Sequence, residues 1–135
     1  MSTNTKRFLV YRLPAIFWAI LLFIFSSIPS NSIPRLVIQA KDLVLHFAVY
    51  TVFGVLLSHA VIEGPQRVSK GLALLVMAIG FSYGASDEFH QLFVPGRTCT
   101  FSDFLADCTG VLFGLFLYLV VLRKVFEKIS REILS

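Results

Sequence analysis

A chain of 135 residues, 56% of them hydrophobic and only 15% charged, with a mean hydropathy of +0.79, carries more apolar surface than one small domain can hide from water. Its net charge of +4 and pI near 9.3 come from basic residues that flank apolar runs instead of lining one face, which excludes a nucleic-acid-binding stripe as their origin. No Walker-type loop, G-x-S-x-G elbow or paired CxxC occurs, so nucleotide hydrolysis, α/β-hydrolase chemistry and zinc-ribbon binding have no support.

Crossing about 30 Å of hydrocarbon takes roughly 20 helical residues. Four stretches suffice, at about 9–28, 43–62, 71–93 and 104–122, and they predict an all-α transmembrane bundle of four helices in a single membrane domain over residues 1–135. The first run follows Lys6, Arg7 and Arg12 as a secretory signal would, but it exceeds the about 7–15 residues of a signal core and three further spans follow. It is predicted to be a retained helix, with Pro14 in its first turns, where a missing amide donor does least harm. Between the first two runs, Arg35 to Ala40 is apolar enough for a short interfacial helix covering the outer end of the bundle. The tail from Arg123 to Ser135 alternates charges with Val125, Phe126, Ile129, Ile133 and Leu134, the pattern of an amphipathic extension near the inner headgroups.

Four crossings put both termini on one side. That side receives Lys6, Arg7, Arg12, Arg67, Lys70, Arg123, Lys124, Lys128 and Arg131, leaving only Arg35, Lys41 and Arg97 opposite, so the positive-inside rule makes both termini cytoplasmic. On this reading the second run enters from outside at Lys41 and Asp42, the third leaves near Phe93, and the fourth re-enters near Ser102. At about 1.5 Å per residue, His46, Asp87 and Asp107 then lie at similar depths, roughly 6–9 Å below the outer helix ends.

Helical facing points the same way. Asp42, His46, Tyr50 and Gly54 share one face; Gly80, Gly84, Asp87 and Gln91 share another; Asp103, Asp107, Gly110 and Gly114 a third. The GxxxG pairs at one end of two faces allow close packing, and the carboxylates at the other end make a polar cleft open to the outside. Five of the eight carboxylates, Asp42, Asp87, Glu88, Asp103 and Asp107, crowd this layer, and ionisable groups in hydrocarbon are costly. Some are protonated, or His46 and His90 are cationic, or a metal or cationic ligand group compensates them. His46, Asp87 and His90 are the candidate metal ligands, a constellation without a recognised metal motif. Asp42 and Asp103 also read as helix caps, and Thr100 to Asp103 as a capping box with Asp in place of Glu. His59 falls away from this layer, at the opposite interface. Trp18, Tyr11, Tyr83 and Tyr118 read as packing or belt aromatics, and Cys99 and Cys108, nine positions apart across a helix start, as free thiols.

The string Asp87-Glu88-Phe89-His90-Gln91-Leu92-Phe93-Val94-Pro95-Gly96-Arg97, followed by Thr100, Asp103, Ala106 and Gly110, resembles the signature of the VanZ-like family, and Lys41-Asp42 with His46 and Tyr50 matches that family's earlier pattern. The resemblance covers the second to fourth spans and departs at position 107, where many relatives carry Asn and this chain has Asp. It implies a small polytopic membrane protein of the cell envelope. The family's named member is linked to teicoplanin resistance, with no reaction assigned, and the resemblance does not transfer resistance to this chain.

Two functional classes remain open, and both place the chain in the bacterial cytoplasmic membrane with membrane lipid, and no nucleic acid, as partner. In the first, the cleft binds an envelope component such as a lipid-linked phosphate or saccharide headgroup, Arg97 contacting the anion while Asp42, Tyr50, Gln91, Asp103 and Asp107 line the site. In the second, Asp87, Glu88, His90 and His46 supply acid–base catalysis on such a lipid, with or without a divalent metal. A proton-coupled transporter requires polar groups deeper in the bundle, and the sequence has almost none. No cofactor is named by any motif.

Overall fold

The computed structural model describes residues 2–29, 41–63 and 68–135, with the backbone alone for Lys41 and Asp42. Every regular element among them is helical. α1 (Thr3–Arg7) passes through a π-helical turn, Phe8–Arg12, into α2 (Leu13–Ser26). α3 is Lys41–Val61 and α4 is Lys70–Gln91, while α5 (Phe101–Leu117) passes through a second π turn, Tyr118–Leu122, into α6 (Arg123–Leu134). Four helices are long and apolar enough to cross a membrane: Thr3–Ser26, Leu43–Val61, Lys70–Gln91 and Phe101–Leu134. Their outward faces carry Phe17, Phe25, Val44, Leu74, Phe89 and Val120, all largely exposed, a surface suited to acyl chains and not to water. The predicted interfacial helix at Arg35 to Ala40 lies outside the described residues.

Helix ends differ from the hydropathy-based reading because polar residues that cap a helix belong to it without being apolar. Ser2 caps the first helix by accepting from the Thr5 amide, so that the helix begins at Thr3, six residues ahead of the expected start at Leu9. Ser69 caps α4 and Thr100 caps α5 in the same way. The fourth helix also runs on past Leu122 to a total of 34 residues, about 51 Å at roughly 1.5 Å per residue, so α6 extends the span beyond the thickness of the hydrocarbon.

The centre of the bundle is the α3–α5 contact, the most extensive in the protein. Glycine makes it possible. A Cβ added at Gly110 would stand 2.6 Å from the Phe47 carbonyl oxygen, one at Gly54 would stand 2.6 Å from that of Val111, and one at Gly114 would meet the Thr51 carbonyl. These neighbours are backbone and cannot step aside, so the two helices touch main chain to main chain. α4 closes against α5 through Gly80 over Val111 and Gly84 over Asp107.

The first span is held more loosely: 17% of its hydrophobic window is buried inside the protein, against 44% for the second span. Trp18 donates to the Val49 carbonyl (3.0 Å) and Tyr83 to that of Ala19 (2.6 Å), which makes these aromatics packing residues. At the end nearer the termini, Glu63 bridges Arg7 (2.8 Å) and Arg12 (2.9 Å), tying the end of α3 to the first span. His59 lies there, away from the carboxylate layer as expected, and is buried between the rings of Tyr11 (4.9 Å) and Phe126 (4.6 Å). Pro14 has no N–H for the carbonyl four residues earlier, that of Val10.

Candidate functional site

At the opposite end of the bundle the three polar faces converge. His46 of α3, Asp87, Glu88 and Gln91 of α4, and Asp103 and Asp107 of α5 are all buried. His46 Nδ1 lies 2.8 Å from Asp107 Oδ1 and 4.0 Å from Glu88 Oε1. Glu88 is held on both oxygens: Gln91 Nε2 donates to Oε1 (3.4 Å), and the Thr100 backbone amide donates to Oε2 (3.2 Å). The last contact modifies the expected capping box. Thr100 accepts from the Asp103 amide (3.1 Å) and donates to Asp103 Oδ2 (2.6 Å), as a cap should. Its own amide, which the acid of an ordinary capping box would engage, goes to Glu88 on the neighbouring helix. The start of α5 is thereby fastened to the end of α4.

Asp87 belongs to a second, adjoining group. Tyr50 donates to its Oδ2 (3.1 Å), and among the described residues its Oδ1 is buried without a partner, as is Asp107 Oδ2. Beside them lies a cavity of about 310 Å³ between the first span, α3 and α4. Leu22, Phe25, Ile28, Leu45 and Val49 form its apolar wall, and Ser26, His46, Tyr50, Asp87, Gln91 and Arg97 its polar lining. The Ser26 hydroxyl is another buried polar group without a partner among the described residues.

Arg97 reaches the cavity because of the turn before it. Gly96 has φ 76° and the Arg97 amide donates to the Val94 carbonyl (3.1 Å), a type II turn with Pro95 and Gly96 in its central positions. The guanidinium then donates to the carbonyls of Ile28 (3.2 Å) and Phe25 (3.3 Å), closing the C-terminus of α2. Two of its five donors are used in these contacts.

Several residues singled out from the sequence fall in different places. His90 stands away from the carboxylates, facing the first span, with Nε2 3.0 Å from Ser27 Oγ and its ring 4.6 Å from that of Phe23. The metal-ligand constellation of His46, Asp87 and His90 is therefore not assembled. Among the described residues, the three whose ligand atoms come within 4.8 Å of one another are His46, Glu88 and Asp107. The Asp42 side chain lies outside the described residues. Ser26 was not legible as a site residue, since nothing in its surroundings in the sequence separates it from the serine that follows. Cys99 is exposed and Cys108 buried, both free.

Four membrane-crossing helices around a buried His/carboxylate cluster define a multi-pass integral membrane protein with a polar site let into one end. The VanZ/LLP1 family profile matches residues 8–123, most of the chain and all three segments that build the site. The chain belongs to the VanZ/LLP1 family. No curated protein and no solved structure matches it.

Proposed function

We propose that the cavity binds the polar headgroup of an envelope lipid, phosphate or saccharide, in the outer leaflet of the bacterial cytoplasmic membrane, with both chain termini on the cytoplasmic side. One observation carries the reading. The cavity sets an apolar wall against a polar lining that contains an orphan hydroxyl, Ser26 Oγ, and an orphan carboxylate oxygen, Asp87 Oδ1. A buried polar atom without a partner is destabilising, and the hydroxyls of a sugar or the oxygens of a phosphate ester satisfy such atoms as a hydrocarbon chain does not. The apolar wall takes the first carbons of the acyl or prenyl chain, and the remaining donors of Arg97 take the anion.

The test is lipid retention by the purified protein. Full-length chain extracted in mild detergent is expected to carry lipid phosphorus near one equivalent through repeated washing. Val49→Trp, which fills the cavity, and Arg97→Gln are expected to release it without loss of helix content. Retention equal to that of wild type in both variants refutes the proposal.

A second reading is favoured by the His46–Asp107 pair at the cavity edge. A carboxylate that holds one imidazole nitrogen at 2.8 Å orients the ring for proton transfer, which suits acid–base chemistry on the same bound lipid. Turnover of a polyprenyl phosphate by wild type, abolished in His46→Ala, supports it. Lipid retention without turnover leaves binding alone.

A further inference from the structure

The geometry points to a divalent first-row metal site formed by His46, Glu88 and Asp107, one imidazole nitrogen and two carboxylates contributed by three different helices. Their ligand atoms lie within 4.8 Å of one another and all three residues are buried. An ion held tetrahedrally at about 2.0–2.2 Å by nitrogen and oxygen ligands needs those ligands roughly 3.3–3.6 Å apart. The separations from His46 Nδ1, 2.8 Å to Asp107 and 4.0 Å to Glu88, straddle that range, and side-chain rotations that lengthen the first and shorten the second bring the ligands to bonding separation.

Three further features support a cation here. The Asp107 side chain is 1% exposed, and beside the oxygen that faces the imidazole its Oδ2 has no hydrogen-bond partner among the described residues, so a cation here would compensate a carboxylate that is only half satisfied. Glu88 is aimed at the imidazole by the Thr100 amide and Gln91 from outside the triad, the kind of support that fixes metal-binding carboxylates. And among the described residues neither Glu88 nor Asp107 forms an ion pair with Lys or Arg. With the imidazole neutral and both carboxylates ionised, as metal ligation requires, the triad would carry two negative charges, which one divalent ion cancels. One nitrogen and two oxygens suit zinc or manganese better than calcium or magnesium, whose sites are built from oxygen alone.

Cation binding does not require the lipid reading, because none of the three side chains depends on the apolar wall. The experiment uses full-length protein in detergent, purified through a tag without histidine, stripped with chelator and titrated separately with zinc and manganese. About one ion per chain is expected, with affinity reduced at least about tenfold in Glu88→Gln and in Asp107→Asn and unchanged in His90→Ala. Cobalt added to stripped wild type should give visible absorption bands of a nitrogen- and oxygen-ligated site, which reports on the site even where a variant folds poorly. Substoichiometric binding, absent cobalt bands, or affinity unchanged in both carboxylate variants overturns the proposal and leaves the cluster sharing protons instead. Lipid retention in Val49→Trp is measured on the same preparations, so loss of lipid with metal retained separates the two sites.

Discussion

Glu63 stands at the mouth of two guanidiniums, and its titration can be followed in the intact protein. Burial alone raises a carboxyl pKa, but the hydrogen bonds and charges of Arg7 and Arg12 outweigh it and hold Glu63 below its ordinary value of 4.5. A carboxylate depressed by folding stabilises the protein fully above its unfolded pKa, and that contribution is lost as the pH falls through the folded value. Glu63→Gln is therefore expected to unfold more easily than wild type at pH 7, by about 0.5–1 kcal/mol given the exposure of both arginines. The gap should begin to narrow only as the pH drops below 4.5, and a gap that does not change with acidification contradicts the assignment. At the other end, the residues that matter were conspicuous in the sequence because carboxylates interrupt apolar runs only for a reason. Their partners were not. His90 lies three positions from Asp87, about 60° around the helix at 3.6 residues per turn, and that rotation turns it from α3 to the first span. Which neighbour waits at each angle is a property of the packed bundle and not of the helix.

Helices α3 and α5 pack along a seam that the glycine spacing made legible. Gly110→Ala places a methyl against the Phe47 carbonyl and the Tyr50 side chain. With backbone on the far side, the helices must separate, at about 1–3 kcal/mol or more. Gly71→Ala is the control: its Cβ would meet nothing closer than the Ser69 hydroxyl at 3.7 Å, and alanine favours the helix by up to about 1 kcal/mol. Unfolding in mixed detergent micelles should rank Gly71→Ala at or above wild type and Gly110→Ala well below it. A seam variant as stable as wild type would remove the close approach on which the cluster's geometry rests. Helix lengths were less legible than the seam, since Ser2, Ser69 and Thr100 lengthen their helices by capping chemistry that no hydropathy window detects.

Over the whole molecule, polarity is split between two ends. The Glu63–Arg7–Arg12 bridge and the basic α6 occupy one, the carboxylate layer and Arg97 the other. Topology can be read from the two thiols. Cys99 is exposed in the loop beside the site, and Cys108 is buried in α5. A membrane-impermeant maleimide applied to intact cells should label Cys99 alone, and labelling that appears only after the membrane is breached reverses the proposed orientation. Desolvation first, and then the nearby Glu88 carboxylate, hold the Cys99 thiol above its ordinary pKa of 9.0. The thiolate is the reactive form, so labelling should be slow at pH 7 and rise steeply toward pH 9.

The glycine seam also decides which part of the protein yields when something enters. Two helices in main-chain contact cannot slide without colliding, so α3 and α5 form a fixed post, and α4 is fastened to it through Glu88 and the start of α5. The first span has no such lock among the described residues: near the cavity it is attached by hydrogen bonds, from Arg97 to two carbonyls, through Trp18 and Tyr83 to one carbonyl each, and between Ser27 and His90. A guest arriving sideways from the bilayer would swing that helix outward and leave the acidic layer standing where it was.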